Sequence, residues 1–237
     1  MQYTDAHCHI VPTTISDPDV IGRICSATCE SDWKTFTENT DDETFICIGL
    51  HPWYIQTAQN GWLNRMTNIL RTSPNVMVGE IGLDKNTPDM PRQIQIFTGQ
   101  LEMAAALRRP VHLHCVGAWD KILHILKEHK NALPPAILAH RFSGDPDLIE
   151  KLTNDYNMSF SYHAAPQVGE KFSARVLATP SDKLLIESDA SDTATQIQIL
   201  QETVQTLSDI LGAAPDDICA QNYTNFQRIT SYVRPID

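Results

Sequence analysis

The sequence predicts an α/β fold of the (β/α)8 TIM-barrel type, somewhat irregular and formed as a single domain over residues 1–237. Short apolar segments rich in β-forming residues occur eight times along the chain, with helical patterns between them. This alternation implies parallel strands joined by right-handed crossovers, and eight such units close a barrel. Histidine and carboxylate residues also follow several segments, at the strand ends where barrels carry their active sites.

The predicted strands are short, and the clearest of them are apolar without interruption. Ile46-Cys47-Ile48-Gly49-Leu50 and Leu184-Leu185-Ile186 have the composition of parallel strands that are buried on both faces. The eight segments are centred on residues 4–9, 24–29, 45–50, 76–81, 111–115, 136–140, 158–162 and 184–188.

Three of the intervening segments have clear helical spacing. Apolar residues recur at intervals of three and four in 92–107, 119–129 and 194–211, and Gly212 is the expected C-cap of the last. The first crossover, about residues 11–23, is too short for a full helix, so we expect the barrel to be irregular there. The sequence shows no Gly/Ser linker, low-complexity tract or repeat, which favours one domain.

The composition indicates a cytoplasmic protein without membrane association. Six cysteines are scattered without a C-x-x-C pair, which is typical of reduced thiols. We find no signal-peptide pattern and no apolar run of the roughly 20 residues that a membrane span needs. The net charge of −11 argues against a broad DNA-coating surface, although bound metal ions can supply local positive charge for a phosphate. No feature indicates an obligate protein partner.

Candidate metal ligands stand at the ends of five predicted strands. His7 and His9 lie two residues apart, so their side chains share one face of the first strand. Glu80 ends the fourth strand, where a buried glutamate is rare unless it is paired or bound to metal. A carboxylate can bridge two ions about 3.5–4 Å apart. An internal salt bridge is the alternative for Glu80.

The fifth, sixth and eighth strands end in His114, His140 and Asp189. Asp189 is the candidate general base, because a carboxylate beside a metal-activated water can take its proton; helix capping is the alternative. His112 repeats the H-x-H pattern with His114 but lies one layer deeper. It either orients a metal ligand or is a hydrogen-bonded interior histidine, and the second interpretation is favoured.

Four residues near the strand ends are candidates for binding substrate. His51 follows the third strand and is placed to hydrogen-bond a phosphate or leaving group, and Trp53 two residues later is a candidate for stacking on a base. Arg141 directly follows His140, and His163 follows the seventh strand.

Together these motifs resemble the TatD-type metal-dependent deoxyribonucleases of the amidohydrolase superfamily, over nearly the whole chain. A C-terminal asparagine motif around Asn225 also fits that family. The motifs are Asp5-Ala6-His7-Cys8-His9, Gly49-Leu50-His51-Pro52, Val78-Gly79-Glu80-Ile81-Gly82-Leu83-Asp84, Gln93 and Phe97 before Pro110 and His114, His140-Arg141-Phe142-Ser143-Gly144, and Glu187-Ser188-Asp189.

The resemblance implies a barrel that holds one or two divalent ions (Zn, Mg or Mn). It implies that the first ion is bound by His7, His9, Glu80 and Asp189, and the second by Glu80, His114 and His140. The implied activity is hydrolysis of DNA phosphodiester bonds by a metal-activated water, typically from the 3′ end of a weakly held single strand. Asp189, Glu80 and His51 are then the catalytic residues.

Other functions stay open because the substrate-contacting segments depart from the family. Cys115-Val116-Gly117 stands where the family often carries an arginine two positions after the histidine, and His112 replaces a usually apolar residue. The alternatives are a barrel metallohydrolase that acts on a small-molecule ester, amide or phosphorylated metabolite, and a non-catalytic metal-binding or scaffold protein.

Overall fold

The computed structural model describes residues 1–38, 43–164 and 169–233. Its eight strands are all parallel and form one sheet in the order β1 to β8, as the sequence predicted. The strands are β1 (Tyr3–Cys8), β2 (Val20–Ala27), β3 (Thr44–Ile48), β4 (Val76–Asp84), β5 (Val111–Val116), β6 (Ile137–Ala139), β7 (Met158–Tyr162) and β8 (Leu184–Ile186). The predicted (β/α)8 barrel fold is confirmed.

Helices follow or connect the strands, and the three predicted ones are α3, α4 and α7. Gly212 ends α7 in the left-handed conformation (φ 65°), as expected of a C-cap. Short 3-10 helices cover Pro52–Thr57 and Ser181–Lys183. The helices are α1 (Glu30–Thr37), α2 (Trp62–Thr72), α3 (Met90–Ala106), α4 (Trp119–Glu128), α5 (Leu148–Tyr156), α6 (Glu170–Ala178), α7 (Thr193–Leu211) and α8 (Pro215–Thr230).

The β1–β2 connection is irregular, as predicted, and contains no helix between residues 9 and 19. The second strand begins at Val20, earlier than the sequence indicated, because Val20 pairs with Tyr3 in the parallel ladder. It ends at Ala27, since Cys29 is already the N-cap of α1. Within the described ranges, no helix has both the length and the apolar character that a membrane crossing requires.

The interior of the barrel is closed at one end by apolar side chains. Phe45, Met77 and Leu185 are each the second residue of their strand, and they pack in one buried cluster with Phe226 of α8. The rings of Phe45 and Phe226 meet edge to face with centroids 5.7 Å apart. Because α8 covers the N-terminal ends of the strands, the polar residues at their C-terminal ends face the open mouth.

The barrel closes between β8 and β1 across a seam that side chains help to hold. The buried Asp5 carboxylate accepts hydrogen bonds from the backbone N–H of Ser188 (2.9 Å) and from Nε2 of Gln196 (2.8 Å). Burial raises the pKa of Asp5 to about 6, although the hydrogen bonds from Ser188 and Gln196 oppose this shift. The carboxylate of Asp5 thus ties the first strand to the last. Asp5 precedes His7 by two residues, so the two side chains lie on the same face of β1.

Two asparagines of α8 anchor the same region. Asn222 Oδ1 accepts the N–H of Ile186 (2.9 Å), and its Nδ2 donates to the carbonyl (2.8 Å) and hydroxyl (2.9 Å) oxygens of Thr4. Asn225 Nδ2 donates to the carbonyl oxygens of Ser181 and Leu184. The C-terminal asparagine motif therefore fixes the start of β8 and lies far from the mouth.

Candidate metal centre and active site

All six residues predicted as metal ligands converge at the C-terminal mouth of the barrel. Their donor atoms fall into overlapping groups within which all atoms lie within 4.8 Å of one another, and His51 joins one of them. The groups are His7 with Glu80 and His140, His7 with His9 and Asp189, and His51 with Glu80 and His114. Residues up to 182 positions apart in sequence thus meet because each lies in the middle or second half of a parallel strand or shortly after it. Glu80 was predicted to end the fourth strand, but β4 continues for four more residues to Asp84.

Glu80 lies at the centre of the cluster and is 2% exposed. Its two oxygens face different imidazoles, as expected of a carboxylate placed between two cation positions. Burial alone would raise the pKa of Glu80, but the charge of His140 and the hydrogen bonds from neighbouring histidines hold it well below its usual range. Oε1 lies 2.7 Å from His140 Nε2, 2.8 Å from His114 Nδ1 and 3.4 Å from His51 Nε2, and Oε2 lies 3.4 Å from His7 Nε2 and 3.6 Å from His9 Nε2.

The β1 and β8 ends form a second cluster around Asp189. Its Oδ1 lies 3.2 Å from His9 Nε2 and 3.8 Å from His7 Nε2. Burial opposes ionisation of Asp189, yet the hydrogen bond from His9 and the nearby histidine charges set its pKa below the ordinary value. Burial likewise would lower the pKa of His9, but Asp189 and Glu80 raise it to about 9. Asp189 is therefore ionised at neutral pH.

The donor atoms fit divalent metal ions. Ring nitrogens face each other at 3.4 Å between His7 Nε2 and His9 Nε2, and at 3.2 Å between His114 Nδ1 and His140 Nε2. Two imidazole nitrogens directed at one point, beside a carboxylate, match the mixed nitrogen and oxygen sets that borderline divalent ions prefer. The structure therefore presents candidate metal-binding groups, and the donor chemistry does not select among Zn, Mg and Mn.

Polar groups behind the histidines hold the rings in place. Ser26 contacts His7 in β1 and His9 directly after it, through its hydroxyl to His7 Nδ1 (3.3 Å) and through its carbonyl to His9 Nδ1 (3.0 Å). Asp84 Oδ2 lies 3.6 Å from His114 Nε2. Partners of this kind fix the orientation of histidine ligands. Neither Ser26 nor Asp84 was predicted as a site residue, although Asp84 ends the strand that carries Glu80.

Glu187, directly after β8, contacts the residues that follow β6 and a serine of β7. Its fully buried carboxylate accepts the backbone N–H of Arg141 (2.7 Å) and the hydroxyl of Ser161 (2.5 Å), and Oε1 lies 3.7 Å from His140 Nδ1. Glu187 precedes Asp189 by two residues, so strand alternation could have placed both on one face. Glu187 belongs to the predicted Glu187-Ser188-Asp189 motif but was not predicted as a site residue.

Two residues at the mouth have left-handed backbone conformations. Arg141 (φ 41°) and Asp189 (φ 53°) both follow the end of a strand, and such conformations are uncommon for residues other than glycine. Arg141 Nη1 donates to Asp189 Oδ2 at 2.8 Å. Strained backbone that is held in place at a mouth of charged residues is typical of functional sites.

The second glycine of the Gly-Glu-Ile-Gly motif has a packing reason. Gly82 (φ 155°) lies on β4 so close to β5 that a Cβ atom would stand 1.8 Å from the carbonyl oxygen of His114. Only glycine permits this approach. The close contact sets the position of His114 relative to Glu80.

A cavity of about 780 Å³ opens over the cluster. His51, Trp53 and Tyr54 line it after β3, and Arg141 lines it after β6. His163 does not line it in the described part of the chain, although burial and the charge of Arg141 lower its pKa. Three of the four predicted substrate residues therefore border the cavity.

His51 has a defined tautomer. Its Nδ1 accepts the backbone N–H of Trp53 (3.1 Å), so the ring proton lies on Nε2, which faces Glu80. Burial lowers the pKa of His51, which favours the neutral ring. Trp53 is 63% exposed, and its Nε1 donates to Asp84 Oδ2 at 2.9 Å. The indole is thus held against the wall of the cavity.

His112 is an interior histidine, which is the interpretation that the sequence favoured. It is fully buried and stacks below His7 with ring centroids 5.9 Å apart, yet neither ring nitrogen has a hydrogen-bond partner among the described residues. Neither the expected bond to a metal ligand nor that of a satisfied interior histidine is seen. Burial lowers the pKa of His112 well below its usual value, so the ring is neutral.

The chain is similar to known proteins in sequence and in fold. The family model described as TatD related DNase matches residues 4–231. The 3′-5′ RNA nuclease TATDN2 of Homo sapiens is 30% identical over 158 residues, which cover 63% of the chain and 20% of that protein. The 3′-5′ ssDNA/RNA exonuclease TatD of Erwinia billingiae is 30% identical over 146 residues, or 60% of the chain and 56% of the relative.

The chain thus spans less than two thirds of the length of these two relatives. Among solved structures, the crystal structure of a TatD homologue from Escherichia coli K12 is similar with a TM-score of 0.81. It is 24% identical, and the match covers 96% of this chain and 97% of that one. This likeness supports the barrel fold.

Proposed function

Since the chain belongs to the family of TatD-related DNases, we propose that it hydrolyses phosphodiester bonds of single-stranded nucleic acid from the 3′ end with the help of divalent metal ions. DNA is the proposed substrate from the family, and the names of the relatives make RNA a substrate to be tested beside it. The observation that carries the proposal is the convergence of six histidine and carboxylate side chains around Glu80 at the barrel mouth.

We propose that one ion is held by His7, His9 and Asp189, a second by His114 and His140, and that Glu80 lies between them. The short distances from Glu80 Oε1 to His114 and His140, and from Asp189 Oδ1 to His9, support this division. Divalent ions bound there would lower the pKa of a water molecule and neutralise charge on the phosphate.

The chain's own residues then accept the proton and bind the phosphate. Asp189, ionised and 2.8 Å from Arg141, accepts the proton of the attacking water at a carboxylate oxygen. The water oxygen forms a bond to phosphorus as the bond from phosphorus to the leaving oxygen breaks, and that oxygen takes a proton from solvent. His51 donates its Nε2–H to a phosphate oxygen, and Arg141 pairs with the phosphate charge.

Trp53 and His163 have proposed roles in substrate binding. The exposed indole of Trp53, fixed by Asp84, offers a flat surface on which the terminal base stacks. His163 lies near enough to Arg141 for the arginine charge to lower its pKa, and we assign it to the outer part of the same binding region.

The test is cleavage of single-stranded DNA and RNA oligonucleotides by chelated, Zn-, Mn- and Mg-loaded protein, with Asp189→Ala beside the wild type. We expect metal-dependent loss of 3′ nucleotides by the wild type and far weaker cleavage by the variant. Absence of cleavage of either polymer by protein with bound metal would refute the proposal and favour a small-molecule ester, amide or phosphorylated metabolite.

A further inference from the structure

We propose that the cavity accepts only the last one or two nucleotides of a strand, so that dinucleotides are cleaved about as well as long oligonucleotides. The inference rests on the phosphodiesterase function proposed above and specifies its substrate class as short single-stranded oligonucleotides. It follows from the charge, the size and the aromatic residues of the cavity.

Outside the proposed metal ligands, the described lining of the cavity offers one cationic side chain. Among the described residues that line it, Arg141 is the only lysine or arginine. Its side chain is 45% exposed, and of its guanidinium nitrogens only Nη1 bonds to a protein acceptor in the described ranges. Nε and Nη2 therefore stay available to one phosphate. A protein that follows a longer strand needs a positively charged groove along the backbone.

The surroundings oppose a second phosphate. Asp32 lines the α1 wall of the cavity and forms no ion pair with lysine or arginine among the described residues. The chain as a whole carries a net charge of −11. Lys85 lies beside Gly117 on the β4 side of the mouth, but it is exposed and does not line the cavity. Long strands therefore gain little attraction outside the cavity.

The size and the aromatic rim agree with one or two nucleotides. The cavity of about 780 Å³ falls within the roughly 300–1,000 Å³ typical of pockets for ligands of this size. Trp53 and Tyr54 are the exposed aromatic residues that line it, and they lie three strands from Arg141 in the barrel order. One phosphate at Arg141 and bases at the two rings would fill the site.

The first test compares kcat/KM of the metal-loaded wild type for a dinucleotide and for a 20-nucleotide strand of the same 3′ sequence. We expect a ratio below about tenfold. A strand advantage above about tenfold would overturn the inference while leaving the phosphodiesterase function intact. Failure to cleave either substrate would instead overturn the function, and with it the inference.

The second test uses salt and two charge-matched variants. One phosphate contact predicts a loss of about fivefold in kcat/KM for a tenfold rise in KCl, whereas four contacts predict roughly 600-fold. Arg141→Gln should lower kcat/KM for both substrates by the same factor, about tenfold or more, and Arg141→Lys should restore part of the loss. Lys85→Gln should change kcat/KM for neither substrate by more than about twofold. Selective loss of the long substrate in Lys85→Gln contradicts the inference.

Binding gives a readout that does not depend on turnover. The loaded wild type is titrated calorimetrically with the same two oligonucleotides, each carrying a 3′-terminal phosphonate linkage that keeps the charge and resists hydrolysis. Dissociation constants within about tenfold of each other are expected. A long strand that binds more than tenfold tighter shows contacts outside the cavity and overturns the proposal.

Discussion

Replacing Asn222 by alanine is expected to lower the free energy of unfolding by about 2–4 kcal/mol. Asn222 is buried, and its side chain supplies the acceptor for the N–H of Ile186 and two donor contacts to Thr4. Leaving the buried N–H without an acceptor costs about 1–3 kcal/mol, and the lost bonds to Thr4 add about 1 kcal/mol.

The assay is urea unfolding followed by circular dichroism, with thermal unfolding as a second measurement. For a domain of this size, about 2–4 °C per kcal/mol corresponds to a drop in Tm of roughly 4–16 °C. Thr224→Ala, an exposed change on the same helix, is the control and should stay within about 0.5 kcal/mol of the wild type. A loss below about 1 kcal/mol for Asn222→Ala would refute the reasoning that α8 holds the seam.

Four further outcomes are expected. Glu80→Ala should lower the metal content at both proposed positions, measured by elemental analysis, and an unchanged content would show that Glu80 does not lie between two ions. Chelation should lower Tm by roughly 8–16 °C relative to protein with free metal at a thousand times Kd, which corresponds to about 4 kcal/mol; an unchanged Tm contradicts a metal site in the native fold. His112→Leu should leave activity within about tenfold and metal content unchanged, since its ring has no described hydrogen-bond partner; loss of an ion would make His112 a ligand. Burial raises the pKa of Cys115 to about 12, so the native protein should hold roughly a thousandfold less thiolate there at pH 8 than a free thiol, and mass spectrometry after iodoacetamide should find Cys115 unmodified until the chain is unfolded.

The fold was predictable because the clearest buried strands, such as β6 and β8, are uninterrupted apolar runs, and segments with helical spacing lie between the strands. The long amphipathic helices α3, α4 and α7 were equally visible from their spacing. The start of β2 was not, since Val20 belongs to the strand only through its ladder partner Tyr3, a contact between segments. Short helices such as α1 carry too few turns for a clear period.

The convergence of the six histidine and carboxylate side chains was predictable because strand ends in a barrel must converge, and the H-x-H and Glu-Ser-Asp patterns are typical of those ends. The supporting contacts were not. Asp84 and Asn222 act through hydrogen bonds whose partners are set by three-dimensional packing, and neither has a local pattern that announces the partner. Whether the ring nitrogens of His112 have hydrogen-bond partners could not be predicted either, because this depends on the side chains packed around the ring.

The seam between β8 and β1 has a consequence for the order of folding. Asp5 and Ser188 are 183 residues apart, and Thr4 and Asn222 are 218 apart, so these bonds close nearly the whole chain into a loop. Contacts of such long range form late, after the shorter β/α units that cost less entropy to close. His7 and His9 can meet Asp189 only in that last step. A partly folded or still growing chain therefore lacks the proposed metal centre, which forms together with the finished barrel.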